Sequence, residues 1–80
     1  MPRLKILSSE DVIRILGSFN FTVVSQKGSH VKMRRNINKI NQTLTIPNHE
    51  ELDKGTLRAI FNQASKYISE SELKPYFYNE

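Results

Sequence analysis

Cysteine and tryptophan are both missing from this 80-residue chain, and histidine occurs only twice. Without cysteine there is no disulfide staple, no thiolate nucleophile and no cysteine-based zinc site. Long apolar runs are missing too, and none approaches the length needed to span a bilayer. The opening residues 1–7 are too short and too charged for a secretory signal, so the expected compartment is the cytoplasm and no membrane contact is expected. No internal repeat, linker or low-complexity tail interrupts the chain. Eighty residues are expected to form one domain, residues 1–80, around a small core with little margin of stability.

Charge is the first positive signal. Twelve Lys and Arg stand against eight Asp and Glu, a net charge of +4. That balance favours a polyanionic partner, although small basic proteins without one are common.

Ser8 and Ser9 are both candidate caps for a helix over about residues 9–18. If Ser8 is the cap, Asp11 falls at the third helical position, where its carboxylate can answer the first-turn amides. Val12, Ile15, Leu16 and Phe19 recur at spacings of three and four and give that helix one apolar face. Gly17 and Asn20 are the two candidates for the left-handed residue that stops it. Residues 21–25 are β-branched and aromatic and predict a strand with Phe21 and Val23 on one face. Gln26-Lys27-Gly28 predicts a hairpin turn, and residues 29–35 a second strand in which Val31 and Met33 alternate with His30, Lys32 and Arg34. The asparagine-rich stretch 36–41 predicts the loop of a second hairpin. Residues 42–46 predict a third strand with Leu44 and Ile46 inward, ended by Pro47. Asp53 is placed to cap a second helix whose apolar stripe is Leu57, Ile60, Phe61 and Ala64. Gly55 in its first turn signals either a close approach or simple indifference. Residues 69–72 predict a capping box for one further turn, which Pro75 should keep short. The large aromatics Phe61, Tyr67, Tyr76 and Phe77 read as packing rather than as base-stacking platforms.

Both histidines sit beside strands. His30 follows the Gly28 turn and shares a strand face with Lys32 and Arg34 over about 13 Å. A merely basic, solvated sheet face would show the same alternation. Lys39, Arg35, Lys54 and Arg58 add cations between and after the two histidines. Imidazole takes up and releases protons near neutral pH, so a histidine fixed among cations suits proton transfer beside a phosphate. Cleavage of RNA at a 2′-hydroxyl needs a base, donors for the phosphorane oxygens and a proton for the leaving 5′-oxygen. Lys27, the Gly28 and Ser29 amides, Lys32 and Arg34 are candidates for the phosphate contacts, with Lys54 and Arg58 as further RNA-binding cations. His49, in Thr45-Ile46-Pro47-Asn48-His49, is either a second proton-transfer group or a residue that fixes the strand-to-helix connection. With no cysteine and no carboxylate cluster beside a histidine, no metal or other cofactor is expected.

Three segments in order resemble the HicA toxin family, small RNA-cleaving toxins of toxin–antitoxin modules. Gly28-Ser29-His30 is similar to its glycine-serine/threonine-histidine signature. Residues 45–49 resemble its threonine-apolar-proline-any-histidine segment, and residues 52–60 the block that opens its last main helix. The resemblance covers nearly the whole chain. It departs at residues 36–41, where many relatives carry a proline- and glycine-bearing turn. It implies an α+β fold like that of double-stranded-RNA-binding domains: helix, three antiparallel strands and helix, with a short C-terminal helical turn added here. It also implies that His30 is the catalytic residue of a metal-independent mRNA endoribonuclease. The implied partners are RNA and a HicB-type antitoxin, with DNA reached only through the antitoxin. Two alternatives carry the same residues: a non-catalytic RNA-binding module, and an inactive relative that acts only by binding its antitoxin.

Overall fold

The computed structural model describes residues 2–79, which form an antiparallel sheet covered on one face by helices. Helix α1, Ser9–Gly17, starts at a reciprocal cap. Ser8 Oγ accepts from the Asp11 amide at 3.0 Å, and Asp11 Oδ2 accepts from the Ser8 amide at 3.0 Å. Asn20, with φ of 75°, takes the left-handed position after the helix, and Gly17 does not. Val12 and Leu16 point into the core and are fully buried.

Strands β2 (Thr22–Lys27), β3 (His30–Ile37) and β4 (Ile40–Pro47) follow β1, the two-residue strand Arg3–Leu4, and form a three-stranded sheet in sequence order. All three run longer than the sequence predicts, because both connections are tighter. Lys27 pairs directly with His30, so the first turn is Gly28-Ser29 alone, with Gly28 at φ 54°. Residues 36–41 are not a loop: Ile37 pairs with Ile40 across the two-residue turn Asn38-Lys39. Both turn residues have positive φ, 51° and 67°, which is the requirement of a primed hairpin turn and within reach of asparagine. Asn36 Oδ1 accepts from the Lys39 amide and its Nδ2 donates to Asn41 Oδ1, so the asparagines staple the hairpin.

Strand β2 departs from simple alternation. A bulge between Val23 and Ser25 leaves Val24 without a cross-strand partner, and Val23 and Val24 are 50% and 46% exposed rather than core. The core comes instead from Phe21, from Val31 and Met33 of β3 and from Leu44 and Ile46 of β4.

Helix α2, Lys54–Ala64, is capped by Asp53, whose Oδ1 accepts from the Thr56 amide at 2.6 Å. Its stripe Leu57, Ile60, Phe61 and Ala64 is buried as the spacing predicts. A Cβ at Gly55 would meet only Asp53 Oδ1, at 3.7 Å, so no close approach demands that glycine. Helix α3, Glu70–Phe77, is longer than the single turn expected and contains Pro75. It continues because Leu73 and Phe77, both fully buried, are held by the core; each contributes about 1.5–3 kcal/mol, comparable with the cost of the proline. Ser69 Oγ accepts from the Glu72 amide, the forward half of the expected capping box. Strand β5, Tyr78–Asn79, then pairs antiparallel with β1. The Lys5 amide bonds Phe77 O at 2.8 Å and Lys5 Nζ bonds Pro75 O at 3.0 Å, so the two ends of the described chain are joined. Among the described residues no helix is long and apolar enough to cross a membrane.

Candidate RNA-facing site on the open sheet

The face of the sheet turned away from the helices is built in cross-strand rows. Lys27, His30 and Pro47 form the first row, Ser25, Lys32 and Thr45 the second, and Thr22, Arg34 and Thr43 the third. Burial of Val31 and Met33 on the opposite face fixes this assignment, since a slip of one residue would turn His30 and Lys32 into the core. Ser25, Lys27, His30, Lys32 and Thr45 line a groove of about 430 Å³. Gly28-Ser29 forms its end, where the tight turn brings Lys27 opposite His30. Arg34 lies one row beyond, with Nε donating to Thr43 Oγ1 at 3.4 Å.

The groove is electrostatically one-sided. Its lining holds two lysines and one histidine and no carboxylate. Among the described residues the ion pairs are confined to α1, where Arg14 meets Glu10 and Asp11. Lys27 and Lys32 are exposed and Arg34 is half-buried, none of them has an acidic partner among the described residues, and their field is available to an anion.

The other cations fall elsewhere. Lys54 and Arg58 are exposed on α2 and do not line the groove. Arg35 belongs to the helix-facing side of β3. Its guanidinium donates to Gln42 Oε1 at 2.6 Å, Phe19 O at 2.9 Å and Tyr67 O at 2.8 Å, and lies 4.8 Å from the centre of the Phe21 ring. It ties together the segments that follow α1 and α2 and does not serve the open face.

His49 lines a separate recess with Ser8, Glu10, Asn48 and Glu50. Its main chain is tightly held by Ser9, which is fully buried. Ser9 Oγ accepts from the His49 amide at 2.7 Å and donates to Pro47 O, while the Ser9 amide donates to His49 O at 3.0 Å. The Asn48 amide bonds Ser29 O at 2.7 Å, which locks the end of β4 to the turn before His30. Among the described residues no three His, Asp or Glu side chains gather as a metal site.

Ser25 and Thr45 also line the groove, though the sequence gives neither a site role and Thr45 enters only as the first residue of the 45–49 segment. Thr45 was open to discovery, since inward Leu44 and Ile46 put it on the His30 face. Ser25 was not, because the bulge resets the phase of β2.

The family model for the HicA toxin of bacterial toxin–antitoxin systems matches residues 9–65, well over half of the chain and the whole of the rowed sheet. The chain belongs to the HicA toxin family. Neither a curated protein nor a solved structure matches it. The match stops before α3 and β5 and begins after β1, so the joined ends lie outside the matched residues. As a HicA-family toxin of a toxin–antitoxin system, the chain has an antitoxin as its general partner.

Proposed function

We propose that this HicA-family protein is a metal-independent endoribonuclease that cleaves mRNA on the open sheet face, with His30 as the catalytic residue. The observation that carries the reading is the first two rows of that face, which set an imidazole among Lys27 and Lys32 in one groove without a neutralising carboxylate. In the reaction, His30 removes the proton of a 2′-hydroxyl. The 2′-oxygen attacks the adjacent phosphorus, the P–O5′ bond breaks, and the 5′-oxygen takes up a proton from the imidazolium or from water. The products are a 2′,3′-cyclic phosphate and a free 5′-hydroxyl. Lys27, Lys32 and the amides of the Gly28-Ser29 turn neutralise the phosphorane oxygens, and Arg34 holds the next stretch of backbone. The lining supplies one imidazole and two ammonium groups, a donor set that attracts phosphate and disfavours a divalent cation. In this reading His49 anchors the connection between β4 and α2 and transfers no proton, and Lys54 and Arg58 contact RNA only outside the groove.

A HicB-type antitoxin would neutralise the toxin by covering the same face, since an acidic partner gains most where cations stand unpaired. The test is cleavage of a single-stranded RNA by the wild type and by His30→Ala, with EDTA present and thermal melts alongside. His30→Ala is expected to be inert and to melt like the wild type, because the side chain is exposed. Equal cleavage by the two proteins would refute the assignment.

A further inference from the structure

We infer that Thr45 is a further phosphate-contacting residue of this site, its hydroxyl donating to a non-bridging oxygen of the phosphate that lies beside His30. The inference rests on the RNA-cleaving reading. Four hydroxyls stand on the open face, and two are engaged within the protein: Thr22 Oγ1 donates to Arg34 O at 3.3 Å, and Thr43 Oγ1 accepts from Arg34 Nε. The hydroxyls of Ser25 and Thr45 have no partner among the described residues, and both line the groove with His30.

Thr45 pairs directly with Lys32 and sits diagonally across from His30, whose own partner on β4 is Pro47. Diagonal neighbours on antiparallel strands lie roughly 7–8 Å apart, a gap that one phosphate with a hydrogen bond on either side fills. The Thr45 backbone is also held from the helix layer. Its amide points outward from edge strand β4 and donates to Gln63 Oε1 of α2 at 3.1 Å. A β-branched side chain on a fixed backbone has few rotamers to lose. Ser25 has neither restraint, since it follows the bulge on the other edge strand.

The chemistry favours a neutral donor there. Charge builds on the non-bridging oxygens as the phosphorane forms, so a fixed O–H strengthens its bond in the transition state more than in the bound substrate. Lysines nearby already supply ground-state attraction. Thr45 should therefore act on kcat more than on KM.

The experiment measures cleavage of a single-stranded RNA oligonucleotide by the wild type, Thr45→Val, Thr45→Ser and His30→Ala, with thermal melts of each. Valine keeps the shape and branching and removes only the hydroxyl. The expected result is a kcat lowered roughly 10- to 100-fold in Thr45→Val with KM little changed. Thr45→Ser should recover most of the rate. A wild-type rate in Thr45→Val with inert His30→Ala would overturn the role of Thr45 and leave the histidine reading standing. A wild-type rate in His30→Ala would overturn both. Should Thr45→Val fold poorly, Thr45→Ala replaces it, and substrates carrying sulfur at either non-bridging position decide the matter. Sulfur accepts hydrogen bonds weakly, so the slowing it causes in the wild type should shrink in Thr45→Ala; an undiminished effect would overturn the proposal.

Discussion

Arg35 and Lys32 are three residues apart on one strand and do opposite work. Lys32 faces solvent in the groove, while Arg35 holds two carbonyls, an amide oxygen and an aromatic ring on the helix side. Hydrogen bonds to a charged group contribute about 1.5–3 kcal/mol each, and the planar fork that reaches three acceptors has no lysine equivalent. Arg35→Lys is therefore expected to lower stability by about 2 kcal/mol in urea denaturation while leaving RNA affinity unchanged. A loss of affinity without a loss of stability would put Arg35 with the groove cations. Residue type alone could not separate the two arginines and the lysine. Strand parity could, since 30, 32 and 34 are even and 35 is odd, and that parity is why the shared face of His30, Lys32 and Arg34 was legible in the sequence.

At the scale of elements, the helices were the easier part to read. Ser8 with Asp11, and Asp53 with its downstream stripe, announced both main helices, because a cap and a periodic apolar face are local properties. The hairpins were less legible. A two-residue turn with positive φ at both positions is recognised most readily from glycine, and Asn38-Lys39 has none. The bulge in β2 and the passage of α3 through Pro75 depend on distant packing that no window contains. The caps carry a prediction of their own. Bonds from the Ser8 backbone and side chain hold the Asp11 carboxyl below the ordinary aspartate value, with Arg14 adding a smaller attraction. Bonds from Thr56 do the same for Asp53, with a smaller contribution from His49. Both groups bind protons more weakly folded than unfolded. Their stabilisation is therefore complete above about pH 3.9 and lost as pH falls through the depressed folded values. Acid unfolding followed by circular dichroism should be displaced to higher pH in Asp53→Asn, whose amide keeps the cap but cannot ionise. An unchanged acid transition would mean that other groups govern it.

For the molecule as a whole, the HicA match covers the sheet and two helices but not the residues that close the core. Phe77 is fully buried and meets Phe61 edge-on, with ring centres 5.5 Å apart. Tyr78 packs on the same Phe61 ring at 5.3 Å. Removing a buried phenylalanine costs about 3–5 kcal/mol, against a total of roughly 5–15 kcal/mol for a native protein. Phe77→Ala is expected to lose cooperative unfolding or to shift its midpoint by an amount equivalent to about 4 kcal/mol. A shift below about 1 kcal/mol would make α3 an accessory.

The joined ends also bear on how the toxin comes into being. A ribosome delivers residues 73–78 after every other core element, and until then β1 has no strand to pair with and Phe61 lacks two of its aromatic neighbours. A nascent chain that has exposed His30 and the cationic rows is still open at its centre. It is expected to remain sensitive to protease until residue 77 clears the exit tunnel, unlike a fold that closes on residues 9–65.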